Sequence, residues 1–270
     1  MPLLNAHQRR KLLPSTPEMF SRLIVAGIPV DELLKKSALV VGAGGLGVIV
    51  SEILARSGIG TLYIVDRDLV SEGNFNRLGF DRDDIGKPKA DTLARKLLKL
   101  RNSRKIPKKY HLRIRSFHVD IIGWDELEDV IRKVDIIFSC VDNEAARREL
   151  NYLAMKNKKP LIDGGTSIDG LSGTVITVLP CKTPCYECYH SKDTSVKINN
   201  IERIGMCDAS LATTMAIVAA IQADQGMKII LNYGKIIPLI RIDVREEVVV
   251  KSMRDVKPRR DCRVHKRFCK

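Results

Sequence analysis

Short apolar runs alternate with helical patterns over the first two thirds of the chain. The apolar runs predict strands at Ala38–Val41, Thr61–Val65, Tyr110–His118, Val134–Ser139 and Pro160–Ile162. The stretches between them predict helices at Leu46–Arg56, Lys89–Arg101, Asp125–Ile131 and Asn143–Met155. Such alternation is typical of parallel sheets, because each crossover places a helix on one face. We therefore expect an α/β fold with a Rossmann-like, mostly parallel central sheet and helices on both faces.

The pattern changes after Asp163. It predicts a strand at Gly173–Leu179, a long crossover loop at 180–206, a helix at Ala209–Leu231, and a hairpin of Ile236–Arg241 and Glu247–Lys251. These strands would add an antiparallel part on the C-terminal side of the sheet. We expect three parts: an N-terminal helical arm (1–37), a central domain (38–251) with a cysteine-bearing crossover loop (about 180–210), and a basic tail (252–270).

The composition excludes several classes of protein. Apolar residues make up 44% of the 270, which is enough for a sizeable core and excludes global disorder. No apolar run approaches the 18 residues of a membrane span, and Met1 to Lys11 contains no apolar region of a secretory signal. Seven cysteines are too few for a disulfide scaffold, so we expect a reducing, cytoplasmic location and cysteines that serve metal binding or chemistry.

The net charge of +14 would suggest an acidic partner such as nucleic acid. The charge is concentrated, however: residues 95–115 carry +10, residues 251–270 carry +7, and the remainder is nearly neutral. Segment 95–115 has three interpretations, namely a solvated surface, a docking site for an acidic protein partner, and a nucleic-acid site. We favour a solvated surface and consider nucleic acid the least favoured partner.

A glycine-rich loop joins the first strand to the first helix of the predicted sheet. Gly42, Gly44 and Gly47, with Gly45 between them, satisfy the pattern G-x-G-x-x-G. Glycines at such a turn let the backbone approach a phosphate, and the helix N-terminus supplies N–H donors. Asp66 ends the next strand, where a carboxylate can accept hydrogen bonds from a ribose. This pairing favours a nucleotide site, although a dehydrogenase would share it and a tight turn without a ligand is the alternative.

Further polar residues follow other strands of the same sheet. Because the carboxyl ends of parallel strands face one crevice, Asp66, Arg77, Lys89 and Asp142 could converge on one nucleotide. Basic residues suit a triphosphate and an additional aspartate suits Mg²⁺. Each residue also has a simpler interpretation: Arg77 or Lys89 as a solvated charge, and Asp142-Asn143 as a helix N-cap.

The residues of this crevice resemble the ThiF/MoeB/ubiquitin-activating enzyme superfamily. The resemblance rests on Gly42–Gly47, Asp66-Arg-Asp68, Asn74-Phe-Asn-Arg77, Gly86-Lys-Pro-Lys89 and Cys140-Val-Asp142-Asn143. It implies that 38–251 is an adenylation domain that uses ATP and Mg²⁺ to adenylate the C-terminal glycine of a ubiquitin-like protein ending in Gly-Gly. By this resemblance Asp66 binds the ribose, Asn74, Arg77 and Lys89 bind the phosphates, and Asp142 binds Mg²⁺. Arg22 would reach the ATP of a partner subunit, which implies a homodimer.

The remaining cysteines suggest a metal site. Cys185 and Cys188 form a C-x-x-C pair, and a tetrahedral Zn²⁺ needs two further ligands, for which the tail offers Cys262, His265 and Cys269. The superfamily carries a structural zinc between one such pair and a second cysteine pair near the C-terminus, which implies Cys185, Cys188, Cys262 and Cys269. His265 is the alternative fourth ligand, because Cys262 and Cys269 lie further apart than the family's usual pair. A redox role for the C-x-x-C is disfavoured because it lacks the strand-to-helix context.

Cys207 stands just before the long helix predicted at Ala209–Leu231. A helix N-terminus stabilises a thiolate, and a thiolate beside an acyl-adenylate would form a thioester. The surrounding sequence resembles that of the catalytic cysteine in the small homodimeric enzymes that activate the ubiquitin-fold modifier. This resemblance implies Cys207 as the nucleophile and a conjugating enzyme as a partner; the alternative is a small residue packed at the helix start.

Three other functions stay open at this point. They are an adenylyltransferase for a sulfur-carrier protein, a tRNA-modifying adenylating enzyme, and an inactive scaffold subunit. The cysteine pair and Cys207 argue against the second. Intact Arg22, Asp66, Lys89 and Asp142 argue against the third.

Overall fold

One eight-stranded mixed sheet forms the centre of the molecule. The computed structural model describes residues 3–190 and 209–269. The strands are β1 Ser37–Val41, β2 Thr61–Val65, β3 Arg113–Phe117, β4 Ile136–Ser139, β5 Leu161–Thr166, β6 Ser172–Val178, β7 Leu239–Asp243 and β8 Val249–Met253. Their order is β3-β2-β1-β4-β5-β6-β7-β8. The first five in this order are parallel and the last three are added antiparallel, which confirms the predicted fold class.

Ten α-helices accompany the sheet within the described residues. They are α1 Ala6–Leu12, α2 Glu18–Val25, α3 Val30–Leu33, α4 Gly45–Ser57, α5 Lys89–Arg101, α6 Leu127–Lys133, α7 Glu144–Lys156, α8 Tyr186–Tyr189, α9 Ala212–Leu231 and α10 Arg263–Phe268. None of the helices in these residues is long and apolar enough to cross a membrane.

Both faces of the sheet are buried because successive strand residues point to opposite sides. In β1, Ala38 and Val40 pack into one core together with α4, α5 and α9. Leu39 and Val41 pack into the other core together with α6 and α7. A strand buried on both faces needs an unbroken apolar run, which explains the composition of β1.

Element boundaries differ from the predicted ones by a few residues in several places. The hairpin strands β7 and β8 start three and two residues later than expected, and β3 is shorter because Lys108–Tyr110 forms a 3₁₀ turn. The predicted crossover loop contains the short helix α8. Residues 191–208 of that loop lie outside the described part of the chain.

The N-terminal residues form helices that pack on the body of the protein. Phe20 and Ile24 of α2 and Val30 of α3 are buried against Tyr110. Arg101, fully buried at the end of α5, supports this cluster with its guanidinium group 5.2 Å from the Phe20 ring. The division of the chain at residues 37 and 251 stays a prediction; in the structure β1 already begins at Ser37 and β8 ends at Met253.

Candidate active site

A cleft of about 530 Å³ lies at the carboxyl ends of the parallel strands. The register explains its position, because Val41 is paired with both Val65 and Ser139, so the residues that follow all leave the sheet at one edge. The cleft brings together all but one of the residues predicted for the nucleotide: Gly42, Gly44, Gly45, Asp66, Asp68, Asn74, Arg77, Lys89, Asp142 and Asn143. Gly47 lies within α4 and is buried behind them.

The glycines of the loop serve two different purposes. A Cβ atom on Gly47 would lie 1.7 Å from the carbonyl oxygen of Gly42, so Gly47 permits the close approach of α4 to the end of β1. Gly42 itself has a φ of +93°, which favours glycine. A Cβ atom on Gly44, the N-cap of α4, would meet nothing within 4 Å. The N-terminal N–H groups of α4 are thus presented to an open cleft, which suits an anionic group.

Asp66 holds the glycine-rich loop in place. Its carboxylate accepts hydrogen bonds from the N–H of Ala43 at 2.5 Å and from the N–H of Asp68 at 2.7 Å. The side chain is 9% exposed, and this burial raises the pKa of the carboxyl above its usual range, while the two N–H donors act in the opposite direction. Asp66 therefore shapes the loop in addition to offering an acceptor to the cleft.

Lys89 stands at the start of α5 and reaches the cleft from the side of Asp66. Its Nζ lies 2.9 Å from Oδ2 of Asp68, and the side chain of Lys89 is about one tenth exposed whereas that of Asp68 is about half exposed. Burial of an ammonium group is costly without a partner, and Asp68 is the partner that allows Lys89 to lie at the wall of the cleft.

Arg77 lies across the N-terminal end of α4. A Cβ atom on Gly45 would come 3.0 Å from Cδ of Arg77 and 2.2 Å from the sulfur of Met215, so Gly45 leaves room for both side chains. Nε of Arg77 donates to Oδ1 of Asn76 at 3.1 Å. The Asn74 side chain accepts from the N–H of Ser71 at 2.9 Å and closes the turn from which this loop starts.

Asp142 and Asn143 follow β4 and have different surroundings. Asn143 is the N-cap of α7, and its side chain accepts from the N–H of Ala146 at 2.8 Å, as the simpler interpretation of this residue predicted. Asp142 is exposed in the cleft, so its carboxylate can reach a cation there.

Sequence reasoning missed an ion pair at the back of the cleft. Arg147 of α7 lies 2.5 Å from Oδ2 of Asp163 and donates to the carbonyl oxygen of Val141 at 2.7 Å. Ser139 donates to the other oxygen of Asp163 at 2.6 Å. Burial raises the pKa of Asp163, and Arg147 and Ser139 act against that shift. The carbonyl that precedes Asp142 is thereby held in place. Only the position of Asp163 directly after the predicted strand Pro160–Ile162 could have indicated this pair; in the structure it lies within β5.

Two further residues were predicted to be catalytic, one on α2 and one outside the described part of the chain. Arg22 is exposed on α2 and is not among the residues that line the cleft. Its role toward a partner subunit stays a prediction. Cys207 lies outside the described residues, and the neighbouring Ala209 and Ser210 line the cleft.

A cluster of sulfur and nitrogen atoms joins α8 to the tail. Sγ of Cys185 lies 3.7 Å from Sγ of Cys188 and 3.6 Å from Sγ of Cys262. With zinc–sulfur bonds of about 2.3 Å, the corners of a tetrahedron lie about 3.8 Å apart, so this spacing fits the metal. The ligand atoms of Cys185, Cys188 and His265 lie within 4.8 Å of one another. Nδ1 of His265 is buried without a hydrogen-bond partner in the described residues. A buried polar atom normally has a partner, and a metal ion could be the partner of this nitrogen.

The structure does not bring Cys269 into this cluster. Its sulfur is bonded to that of Cys181 in a disulfide, so it is not free to bind a metal. The disulfide contradicts the expectation for Cys269, and the side chain that lies beside Cys185 and Cys188 is that of the alternative, His265. The reason is local: α10 turns His265, three residues after Cys262, toward the other sulfurs. Cys181 had no predicted partner.

Residues 19–264 match the ThiF family, which is nine tenths of the chain. The chain is similar to Ubiquitin-like modifier-activating enzyme 5 of Arabidopsis thaliana, with 29% identity over 260 residues, which is 87% of this chain and 59% of that protein. The proteins of the same name from Caenorhabditis elegans and Oryza sativa subsp. japonica are 30% and 31% identical over 76% of this chain. The chain spans between half and three fifths of the length of these relatives.

The fold is also similar to that of solved structures. E. coli MccB with ATP superposes with a TM-score of 0.74 and 24% identity, covering 97% of this chain and 77% of that one. PaaA superposes with a TM-score of 0.69 and 20% identity, covering 94% of this chain and 85% of that one. The residues that match the ThiF family, 19–264, include the glycine-rich loop, the cleft and most of the cysteine cluster. The chain therefore belongs to the ThiF family.

Proposed function

We propose that the protein activates a ubiquitin-like protein: it adenylates the C-terminal glycine, captures the acyl group on Cys207 and passes it to a conjugating enzyme. The observation that carries the proposal is the convergence of an open helix N-terminus, Asp66, Lys89, Arg77 and Asp142 on one cleft. The similarity to ubiquitin-like modifier-activating enzymes supports the choice of substrate. Since the chain is shorter than these relatives, their activity and partners are attributed to it here as a proposal.

In the first step, a carboxylate oxygen of the C-terminal glycine attacks the α-phosphorus of ATP and pyrophosphate leaves. Asp66 offers an acceptor to the ribose, while Arg77 and Lys89 stabilise the negative charge on the phosphates. Asp142 is the carboxylate that would hold Mg²⁺, and a bound Mg²⁺ would supply positive charge toward the leaving pyrophosphate. Lys89 is already desolvated beside Asp68, so a triphosphate meets an ammonium group whose hydration has been partly removed.

In the second step, the thiolate of Cys207 attacks the acyl carbon of the adenylate and AMP leaves, which yields a thioester. The proposal for Cys207 rests on its sequence position before α9 and on the resemblance described above. The thiol of a conjugating enzyme then attacks the thioester and regenerates Cys207.

The protein would act as a homodimer in which Arg22 reaches the nucleotide of the other subunit. The exposure of Arg22 on a helix that Phe20 and Ile24 fix to the body supports this role, since the guanidinium is available to a second copy. An arginine supplied in this way can contribute on the order of 10³-fold or more to phosphoryl-type chemistry.

We further propose that Cys185, Cys188, Cys262 and His265 hold a structural Zn²⁺. A bound zinc would fasten the tail to α8 and supply folding energy to a segment with few apolar residues. A hydrogen bond from Cys185 lowers the pKa of Cys188, which favours the thiolate that a metal needs.

ATP–pyrophosphate exchange in the presence of ubiquitin-like proteins that end in Gly-Gly tests the activity. Exchange should depend on the ubiquitin-like protein, and Lys89→Ala should lower it by about 10²-fold. Lys87→Ala is the matched control, because this neighbouring lysine is exposed and its Nζ donates to the backbone oxygen of Asp83. A chain that exchanges with none of these proteins would contradict the proposal. A reductant-sensitive adduct that persists in Cys207→Ala would remove Cys207 as the nucleophile.

Metal content tests the ligand set. His265→Ala and Cys188→Ser should each lower bound zinc well below one equivalent, whereas Cys269→Ser should retain it. Retention in His265→Ala together with loss in Cys269→Ser would restore Cys269 as the fourth ligand.

A further inference from the structure

Asn76 links the two sides of the cleft through its amide group. Nδ2 of Asn76 donates to Oγ of Ser210 at 2.7 Å and to the carbonyl oxygen of Ser210 at 3.2 Å. Oδ1 of Asn76 accepts from Nε of Arg77 at 3.1 Å. Because an arginine Nε only donates, the amide can have only this orientation. One exposed side chain thus connects Arg77 to the residues that lead into α9.

The partner of Asn76 is itself anchored. Ser210 follows Ala209, whose N–H donates to the carbonyl oxygen of Ile168 in the turn between β5 and β6 at 3.1 Å. Two residues after Ser210, α9 begins, and its Met215 packs against Gly45 beside the chain of Arg77. Asn76 therefore joins Arg77 to the segment before α9, which is hydrogen-bonded to the turn between β5 and β6.

The other restraints on Arg77 are weak. The guanidinium reaches the carbonyl oxygen of Gly73 at only 3.5 Å, and no carboxylate lies within 4.0 Å of it in the described part of the chain. Arg77 is half-buried, so it would otherwise choose among several rotamers in water. Asn76 gives it a neutral acceptor, which orients the group without cancelling its charge.

We propose that Asn76 is a positioning residue that holds the guanidinium of Arg77 ready for the β- and γ-phosphates of ATP. The inference rests on the proposed function, since it assigns the phosphates to Arg77. Asn76 acts through Arg77 and touches no nucleotide itself. An amide is required because the position needs a donor toward Ser210 and an acceptor toward Arg77 on the same side chain.

The chemistry of the amide predicts how two variants differ. Asn76→Ala removes all three hydrogen bonds of the amide and leaves Arg77 mobile but charged. Asn76→Asp keeps an acceptor for Arg77, loses the donor toward Ser210, and neutralises the guanidinium. Both variants should bind the triphosphate less well, and Asn76→Asp should bind it least well because the phosphates then meet an additional negative charge.

Binding of MgATP and of AMP to the full chain, without any ubiquitin-like protein, tests the proposal. Asn76→Ala should weaken MgATP binding by about tenfold, the effect of one lost charge-assisted contact, and leave AMP binding within about twofold. In an Arg77→Ala background, Asn76→Ala should have no further effect on MgATP, because the two residues act as one unit. Glu72→Ala is the loop control; its side chain pairs with Arg82 on the exposed surface.

Each result separates the possible explanations. Equal weakening of ATP and AMP would assign Asn76 a merely structural role and overturn the inference. Additive effects of Asn76→Ala and Arg77→Ala would do the same. Unchanged MgATP binding in Asn76→Ala, with normal exchange activity in the wild type, would refute the inference and leave the proposed function standing. A wild-type chain that binds no MgATP would refute both.

Discussion

At the scale of single residues, Asp66 shows how burial and hydrogen bonding act in opposite directions on one carboxyl group. Burial raises its pKa, and the N–H groups of Ala43 and Asp68 favour the ionised form. The ionised carboxylate is the stronger acceptor for both N–H groups. Its proton uptake therefore weakens these two hydrogen bonds to the loop that carries the proposed phosphate site.

This gives a prediction for pH. A raised pKa means that the native state takes up the proton more readily than the unfolded chain, so protonation of Asp66 does not by itself unfold the protein. Binding of MgATP should nevertheless weaken as the pH falls, starting above the usual aspartate range of about 4, because the protonated group loses an acceptor. Titration calorimetry between pH 7 and 5 would measure this. Affinity that is constant throughout this range would contradict it.

At the scale of elements, the contact between β1 and α4 depends on the absence of one side chain. Gly47 and Gly44 belong to the same loop–helix junction, but only Gly47 lies against backbone, at the carbonyl of Gly42. The junction can therefore be tested by one pair of identical substitutions.

Gly47→Ala should separate α4 from the sheet and destabilise the protein by about 2–4 kcal/mol, as overpacking of a core does. Gly44→Ala should leave the thermal midpoint within a few degrees, because its methyl group would enter open space in the cleft. Thermal unfolding of both variants, followed by circular dichroism, measures the difference. Equal stability of the two variants would show that the helix accommodates the methyl group.

At the scale of the whole molecule, the tail is fastened to the segment before residue 190 at two places. The disulfide of Cys181 and Cys269 closes a loop of 88 residues, and the cysteine cluster joins Cys185 to Cys262. Since few apolar residues of the tail are buried, these links and the packing of Phe268 beside Tyr152 hold α10 in place.

Loss of the disulfide should destabilise the folded protein by about 2–4 kcal/mol, because a cross-link restricts the unfolded chain. Cys181→Ser and Cys269→Ser should show equal losses, and addition of a reductant should lower the thermal midpoint of the wild type but not of either variant. Zinc content should remain unchanged in both variants. A wild type whose stability does not respond to reductant would contradict the prediction.

Local patterns along the chain were sufficient to predict the α/β fold, the order of its elements up to β5 and the position of the cleft. The fold could be predicted because strands buried on both faces must be apolar throughout. The cleft could be predicted because a glycine-rich turn between a strand and a helix is typical of a phosphate-binding site. Asp66 and Asp142 come shortly after strands and Lys89 begins a helix, so the topology brought these three to one edge. Arg77 lies in the loop after β2, which folds back over the same edge. The predicted start of β7 was three residues too early, because its apolar run begins at Ile236 whereas pairing with the sheet begins at Leu239.

Only the tertiary structure determined which distant side chains meet. Arg147 with Asp163, Asn76 with Ser210 and Cys181 with Cys269 are separated by 16, 134 and 88 residues, and no local pattern relates such positions. The same holds for the position of His265, rather than Cys269, beside Cys185 and Cys188, which depends on the direction in which one turn of α10 points its side chains. The periodicity of apolar residues indicates which face of a helix or strand is buried. The pairing of two polar groups depends instead on how separate elements pack against each other.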